Sequence, residues 1–495
     1  MTTSGSRNTP SKATVRSEKF SNTPEQQYDS ASTLAAYAEK MREEGMPAKV
    51  IDLFTSYLAD VSELATGHIP EMHISPITQS HLKHIDALDK YEEAGKAIAH
   101  EAVAIKLNGG LGTSMGMQFA KSLLPVKDHM SFLDITVKQA IAWQEKYGGP
   151  LPLVLMNSYN THKDTLSELR HMSGLSQLPL CFVQHKFPKI RQDTLMPAEY
   201  PDNREYEWNP PGHGDIYASL YLSGVLETLI RQGRKYALVS NIDNLGATLD
   251  MRMLGYMAEE QVPFLMEVTE RTENDSKGGH LAKHNNGRLI LREVSQCPEC
   301  DLEEFQNITR HRLFNTNNIW INLIELKNTL HQSGLPKLPL ILNPKTINPH
   351  DKSSTPVYQI ESAMGAAISH FVNAQAIVTT RDRFIPVKRT DDLLKVMSDY
   401  YLLDPSGTLK LNEANIAKDL QVDLDPRYYS KFDNIYEKFK EGVPSLASCT
   451  KLGISGDIIF NPSISLVGDV NIDNQTGNVL LMPEDITLQG TVDIK

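Results

Sequence analysis

The chain has 495 residues, 40% hydrophobic and 22% charged, with a formal net charge of −12 and a pI of about 5.8. That size accommodates roughly two or three domains of ordinary globular composition. The acidic balance argues against a general nucleic-acid binder, and no run of about 18 apolar residues exists to span a membrane. Small phosphates remain admissible ligands, because local lysines reverse the field inside one cleft.

Residues 1–30 are rich in Ser, Thr, Asn and Gln and poor in large apolar side chains. A disordered extension without a secretory signal is expected there. Val50, Leu53, Phe54, Tyr57, Leu58, Val61, Leu64 and Ala65 recur in steps of three and four, which predicts an amphipathic helix over 48–66. Ala102–Leu107 is a short apolar run and reads as a buried strand. It feeds into LNGGLGTSMGMQFAK at 107–121, where four glycines fall within eight residues and Lys121 follows. Glycine lets the backbone come close to a ligand. Successive N–H groups in such a loop form a concave site for phosphate oxygens. The loop is not a Walker A motif, because Ala120 precedes Lys121-Ser122. It is not G-x-G-x-x-G either, because after Gly110-Leu-Gly112 the next glycine is Gly116.

Leu133, Val137, Ala140 and Ile141 mark a helix stopped by Gly148-Gly149-Pro150. Leu151–Met156 reads as a strand, Thr161–Arg170 as a polar helix, Leu180–Val183 as a strand and Ile216–Ile230 as one helix. Tyr236–Ser240 is a strand ending at Asn241-Ile242-Asp243, and Pro263–Val268 is another strand. Strands alternating with helices predict a mostly parallel sheet covered on both faces. Ligands gather beyond the carboxyl ends of such strands. Lys106–Gly112, Gln184–Lys186 and Asn241–Asn244 all fall at predicted strand ends.

Pro210-Pro-Gly-His-Gly-Asp215 reads either as a ligand-facing turn around the donor His213 or as a plain surface turn. Asp243 suits Mg²⁺, which takes oxygen donors, and equally suits a helix cap or an Asx-turn. Four cysteines, Cys181, Cys297, Cys300 and Cys449, fit a reducing cytoplasm better than a disulfide framework. Cys297-Pro-Glu-Cys300 has no second CxxC or His pair nearby, so a surface turn is expected. Phe314–Trp320 offers amides suited to sugar hydroxyls, yet on its own it reads as a turn. Arg381–Arg389 carries four cations in nine residues, and Phe384-Ile-Pro-Val anchors the run so that Lys388 is held in place.

Leu452, Ile458, Ile464 and Val470 are spaced by six, as are Ile454, Phe460, Leu466 and Ile472. The phase slips near Asn474–Gly477. Two rows then resume, Leu480, Ile486, Val492 and Met482, Leu488, Ile494. Ile464-x-Leu466-xxx-Val470-x-Ile472 recurs as Ile486-x-Leu488-xxx-Val492-x-Ile494. A six-residue period predicts a parallel β-helix over about 450–495, with an inserted loop at the slip. Its open end needs a cap or a second chain, and end-to-end pairing of two copies would make a homo-oligomer.

LNGGLGTSMG at 107–116, SNIDNLGATLD at 240–250, FNTNNIW at 314–320 and RFIPVK at 383–388 resemble the eukaryotic-type UTP–glucose-1-phosphate uridylyltransferases, or UDP-glucose pyrophosphorylases. The likeness covers residues 50–495. The N-acetylhexosamine-1-phosphate uridylyltransferases are similar in fold but differ in glycine pattern. The resemblance implies an α/β fold. A GT-A-like (Rossmann-like) nucleotidyltransferase domain, with an N-terminal helical segment and a mostly parallel central sheet, would span 31–395. A C-terminal domain with a left-handed parallel β-helix would span 396–495. The implied activity is reversible, Mg²⁺-dependent conversion of UTP and glucose 1-phosphate to UDP-glucose and pyrophosphate. Neither a nucleic-acid nor a membrane partner is expected.

Carried over residue by residue, the resemblance implies that Leu107, Asn108, Gly109 and Gly110 hold the nucleotide, with Gly109 and Gly110 also facing the sugar substrate. Lys121 contacts the triphosphate, Gln184 reads uracil, Gly212 gives a backbone contact and His213 meets the sugar phosphate. Asn241, Ile242 and Asp243 form the sugar and metal end, with Asp243 the Mg²⁺ ligand. Asn315, Asn317 and Glu361 line the sugar pocket. Lys121 and Lys388 are the catalytic cations, and Asp243 and Lys388 also touch the nucleotide. Many relatives have Lys-Gly-Pro-Lys where this chain has Met117-Gln-Phe-Ala-Lys121, and Lys121 is retained.

Overall fold

The computed structural model describes residues 30–63, 67–77, 82–175, 177–417 and 419–495. The extension expected over 1–30 lies outside the described residues except for Ser30, as do Leu64 and Ala65. The strands that position the site are β1 (Lys83–His84), β2 (Ala102–Asn108), β3 (Leu153–Asn157), β4 (Leu180–Val183), β5 (Tyr236–Asn241), β6 (Phe264–Glu270), β7 (Leu313–Asn322) and β8 (Gln375–Val378). They belong to one 11-stranded sheet and follow the order β1-β8-β6-β7-β5-β2-β3-β4. Every neighbouring pair in this order is parallel except those made by β7, which runs antiparallel to β5 and β6.

The central strands β2, β3, β5 and β6 are mainly apolar and buried because both faces of the sheet are covered. In β3, Leu153 and Leu155 enter one core while Val154 and Met156 enter another. In β5, Ala237 and Val239 face one core and Tyr236 and Leu238 a third. Period-two alternation thus divides each strand between two hydrophobic layers.

Two helices precede the sheet, α1 (Ser30–Glu43) and α2 (Ala48–Ser62). Helix α2 buries Val50, Ile51, Phe54, Tyr57, Leu58 and Val61, the expected stripe, against Phe187, Trp208 and Ile360. Helix α3 (Phe132–Tyr147) opens on a Ser131/Asp134 capping box and closes at Gly148, as the glycine pair predicts. Helix α4 (His162–Leu169) follows β3. The single helix expected over Ile216–Ile230 is instead two, α5 (Ile216–Leu222) and α6 (Val225–Arg231). Gly224 between them has φ +77°, a left-handed conformation that a right-handed helix cannot continue through.

Phe314–Trp320 is not a turn but part of β7. Ile319, Trp320 and Ile321 are buried and keep the segment extended. The amides mark a bulge, because the pairing shifts between Glu267 and Val268 and Asn317 takes φ +58°. Cys300 lies within the short 3₁₀ turn Glu299–Asp301 and Cys297 shortly before it; both are free thiols, Cys297 buried and Cys300 exposed.

Beyond β8 come α7 (Thr390–Met397), β9 (Gln421–Leu424), α8 (Phe432–Lys438), β10 (Cys449–Ser455), β11 (Ser465–Asn474) and β12 (Thr487–Ile494). Strands β9 to β12 stack in parallel in that order, and Ile458–Ile459 pairs in parallel with Leu480–Leu481. Leu452 lies beside Val470, Ile454 beside Ile472 and Leu466 beside Leu488. The repeat also predicts Val470 beside Val492 and Ile472 beside Ile494, and here the structure differs. A register shift after Val467 puts Val470 beside Gly490 and Ile472 beside Val492. Gly468 and Gly490, at φ +69° and +74°, are left-handed and absorb the mismatch as a bulge. At the phase slip, the Asn474 amide donates to the carbonyls of Asp457 and Asn478 and ties off the inserted loop. One core runs from Met115 and Ile135 through Ile242 to Leu452 and Ile472, so this stack shares its apolar body with the flank of the glycine loop. No helix among the described residues is long and apolar enough to cross a membrane.

Candidate active site

Parallel register brings the carboxyl ends of β2, β3, β4 and β5 level. Asn241 pairs with Leu107, Asn108 with Asn157, and Asn157 with Val183. The Ile242 N–H donates to the Leu107 carbonyl at 3.1 Å and the Gln184 N–H to the Asn157 carbonyl at 2.8 Å. Three segments distant in sequence therefore leave the sheet side by side.

The glycine loop is held from behind. The Asn108 amide donates to Asn157 Oδ1 at 2.8 Å and to Thr165 Oγ1 at 2.9 Å. The Thr161 hydroxyl donates to the Asn108 carbonyl at 2.7 Å and the Ser158 hydroxyl to the Gly109 carbonyl at 2.9 Å. With the carbonyls so occupied, the N–H groups of Gly109 and Gly110 have no acceptor among the described residues, which leaves them for an anion. A Cβ on Gly109 would stand 2.8 Å from Gln184 Nε2, so the missing side chain is what lets that amide lie over the loop. Gly112 and Gly116 are left-handed, at φ +65° and +75°. The stem of Lys121 packs on the first, with Cγ 3.4 Å from a Cβ there, and the stem of Lys431 packs on the second at the same distance.

Lys121 Nζ donates to Asp243 Oδ2 at 2.5 Å and to the carbonyl of Val387. The other oxygen, Asp243 Oδ1, is buried and has no hydrogen-bond partner among the described residues. The segment carrying Lys388 is fastened to the same place. The Val387 N–H donates to the Asp243 carbonyl at 3.4 Å, the Ile385 N–H to Asn244 Oδ1 at 2.8 Å, and Asn244 pairs with Pro386 as a β-bridge. Lys388 itself is exposed, with its N–H given to Asp392 Oδ2 at 2.9 Å. Burial pushes the nearby Glu293 carboxyl up in pKa, and the Lys388 charge pulls it back.

Beneath these residues lies a buried polar knot. Glu267, with no exposed surface, accepts from Arg383 at 2.7 and 2.8 Å, from Trp320 Nε1 at 2.8 Å and from the Asn318 amide at 3.1 Å. Asn318 in turn accepts from the Asn244 amide at 3.0 Å. One carboxylate thus ties together the 240–250, 314–320 and 383–388 segments. A buried network is stabilising only when every member is satisfied, as here. Lys106, also buried, donates to Ser240 Oγ at 2.9 Å and to the Ala247 carbonyl at 2.6 Å, and burial drives its pKa down to about 7.

The second half of the crevice surrounds His213. The Met364 N–H donates to His213 Nδ1 at 3.0 Å, which puts the imidazole proton on Nε2. Burial lowers its pKa to about 4, so the ring is a neutral donor. A Cβ on Gly212 (φ +77°) would lie 2.5 Å from the Ser362 carbonyl oxygen and 3.2 Å from Glu361 Cβ, so these two strands of chain touch only through glycine. Burial raises the Glu361 carboxyl pKa. Asn315 Nδ2 donates to Asn317 Oδ1 at 2.8 Å, and Asn315 lies against Gly365. Leu107, Asn108, Gly109, Gly110, Lys121, Gln184, Asn241, Ile242, Asp243 and the Lys388 segment form one cluster. Gly212, His213, Glu361, Asn315 and Asn317 lie along the segment 361–365 that borders it. Ser158, Thr161, Asp215 and Lys431 escape sequence reasoning, because each acts through a partner far away along the chain.

A family model described as UTP–glucose-1-phosphate uridylyltransferase matches residues 49–467. The chain belongs to that family. Among curated uridylyltransferase relatives, UTP–glucose-1-phosphate uridylyltransferase 2 of Dictyostelium discoideum is 38% identical over 81% of this chain and 78% of its own length. The Saccharomyces cerevisiae UTP–glucose-1-phosphate uridylyltransferase is 37% identical over 89% and 87%. A mutant UDP-glucose pyrophosphorylase from Leishmania major, solved in complex with UDP-glucose, superposes with TM-score 0.86 at 40% identity, covering 93% of this chain and 99% of that one. A Trypanosoma brucei structure described as UDP-glucose phosphorylase gives TM-score 0.82 at 43% identity, covering 94% and 100%. This uridylyltransferase family member thus shares both sequence and fold with enzymes over nearly its whole described length.

Proposed function

We propose that this protein converts UTP and glucose 1-phosphate to UDP-glucose and pyrophosphate, reversibly. The observation that carries the reading is the convergence of Lys121, Asp243 and the Lys388 segment beside a glycine loop with free N–H groups. A phosphate oxygen of glucose 1-phosphate attacks the α-phosphorus of UTP in line. The new P–O bond forms as the α–β bridging P–O bond breaks, and pyrophosphate leaves with the electron pair. The nucleophile is already an anion at neutral pH, so no general base is required, and positioning and charge stabilisation carry the catalysis.

Leu107–Gly110 cradle the nucleotide, and the Gln184 amide offers a donor and an acceptor to the uracil edge. Neutral His213 donates through Nε2 to the sugar phosphate without changing charge near neutral pH. Gly212 gives a backbone contact, and Asn315, Asn317, Glu361, Asn241 and Ile242 border the sugar. Lys121 and Lys388 offset the repulsion between two anionic substrates and steady the leaving pyrophosphate. Asp243 fits a Mg²⁺ ligand, because its buried Oδ1 has no hydrogen-bond partner among the described residues while Lys121 occupies only Oδ2, and Mg²⁺ commonly binds one or two carboxylates plus substrate phosphates. When bound there, Mg²⁺ supplies charge neutralisation at the phosphates.

The same reading takes residues 31–395 as a GT-A-like catalytic domain and 396–495 as a C-terminal domain with a left-handed β-helix over about 450–495. The parallel stack β9–β12 supports the second part. Strand β12 ends that stack with Leu488, Val492 and Ile494 only half-buried, a face suited to a second copy of the chain. Four free thiols suit a cytoplasmic setting.

The test is pyrophosphate release from purified protein with Mg²⁺ and UTP, comparing glucose 1-phosphate with galactose 1-phosphate and N-acetylglucosamine 1-phosphate. Release that requires glucose 1-phosphate is expected. Protein that binds UTP yet releases nothing with any sugar phosphate would overturn the reading.

A further inference from the structure

An amide alone is ambiguous toward a pyrimidine. Uracil presents an N–H donor beside a carbonyl acceptor, and cytosine presents a ring-nitrogen acceptor beside an amino donor. Turning the Gln184 amide over converts one match into the other. The Gln184 amide is turned with Nε2 toward Gly109, and holding that pose against the loop depends first on where the chain carrying Gln184 is fixed. Its backbone is pinned on both sides. The Gln184 N–H goes to the Asn157 carbonyl at 2.8 Å, and the next N–H, that of His185, goes to Asp215 Oδ2 at 2.7 Å.

Asp215 also takes the His185 ring, with Nδ1 2.9 Å from Oδ1. A carboxylate only accepts, so His185 carries a proton on Nδ1. The Asp215 side chain is 3% exposed, and both its oxygens are spent on one residue. A buried carboxylate is costly unless so paired. Asp215 lies in the 3₁₀ turn His213–Asp215, its N–H directed at the Gly212 carbonyl at 3.3 Å. The anchor of the uracil reader is thus part of the same turn as the sugar-phosphate contact.

We propose that the His185–Asp215 pair is a positioning device that fixes Gln184 for uracil selection and couples that selection to His213. It rests on the functional reading above. The two side chains are only 11% and 3% exposed and are paired with each other, so the mark of the pair is a change in nucleotide preference rather than loss of chemistry.

The test uses the full chain, titrated calorimetrically with UTP and with CTP, with pyrophosphate release followed in parallel. Asp215→Ala removes both acceptors and is expected to weaken UTP binding about tenfold to a hundredfold, the size of losing a buried charged hydrogen bond. The preference for UTP over CTP is expected to shrink, and KM for UTP to rise more than kcat falls. His185→Ala keeps the backbone bond and is expected to cost less, about threefold to tenfold in UTP affinity. Asp215→Asn restores most of the loss, because its carbonyl accepts the His185 N–H while its NH₂ donates to Nδ1 in the other tautomer.

If circular dichroism shows that Asp215→Ala does not fold, the other two variants decide the matter. The pair's role is overturned if His185→Ala leaves both UTP affinity and the UTP/CTP ratio within about twofold of wild type, below the smallest effect of a lost hydrogen bond. It is also overturned if UTP and CTP weaken equally. Calorimetry needs no turnover, so the two failures are distinct. UTP binding without pyrophosphate release defeats the reaction, and an unchanged nucleotide preference in an active enzyme defeats only the pair.

Discussion

In the C-terminal stack, Leu452 lies beside Val470 and Leu466 beside Leu488, apolar on apolar, and the pattern is visible within a few dozen residues. At the strand ends, Lys121 meets Asp243 and the Val387 carbonyl across sequence separations of 122 and 266 residues. Apolar burial is non-directional and tolerates shifts, and the stack absorbs a two-glycine bulge without losing its core. The crevice depends on directional pairs among buried charges, where one missing partner leaves another unpaired. The first region is robust and readable; the second is exacting and does the chemistry.

The largest expected effects separate the two regions. Glu267→Ala strips Arg383 of its main carboxylate partner, leaving it the Thr248 carbonyl and Asp250 at 3.9 Å, and is expected to cost about 3–5 kcal/mol in urea unfolding, with activity lost as well. Leu466→Ala in the stack is expected to cost about 2–5 kcal/mol while kcat of the folded fraction stays near wild type. Equal loss of kcat in both would erase the contrast. Next in size, Lys388→Ala is expected to lower kcat by about 10²–10³, by analogy with removing one preorganised charge-stabilising donor. Steady-state pyrophosphate release reads it, and turnover close to wild type would remove Lys388 from the site.

Acid sharpens the comparison further. His213, His280 and His311 all have pKa values lowered in the fold, with burial the leading cause. The unfolded chain therefore takes up their protons first. Stability is intact above the ordinary histidine value of 6.5 and declines as pH falls below it. Thermal melts between pH 8 and 4.5 check this, and a flat profile would contradict it. The smallest effect comes from His280→Phe. His280 is stacked 3.8 Å from His311, and neither of its ring nitrogens has a hydrogen-bond partner among the described residues. An apolar ring of similar shape is expected to gain about 1–3 kcal/mol near pH 5.

The mostly parallel sheet and the glycine loop were legible in the sequence because their signals are local: apolar runs, and glycines between a strand and a lysine. The direction of β7 was not, because side-chain alternation is the same either way up, and the Asn315–Asn318 amides disguised a bulge as a turn. Gly224 was the readable sign of the break between α5 and α6, yet the apolar pattern continued across it. The C-terminal rows were legible as a period, and their exact partners in the last turn were hidden by Gly468 and Gly490. In the crevice, the residues at strand ends could be placed by topology. Those that hold them, Ser158, Thr161 and Asp215, could not, because a hydroxyl or carboxylate in a turn looks the same whether it meets water or a distant backbone.

The most direct measurement is glucose 1-phosphate-dependent pyrophosphate release as Mg²⁺ is titrated, for wild type and for Asp243→Asn. If the strand-end cluster is the seat of the reaction, wild type saturates with Mg²⁺ and the variant is slower by about a hundredfold or more, the scale of losing one preorganised charge. Superimposable curves would contradict the assignment.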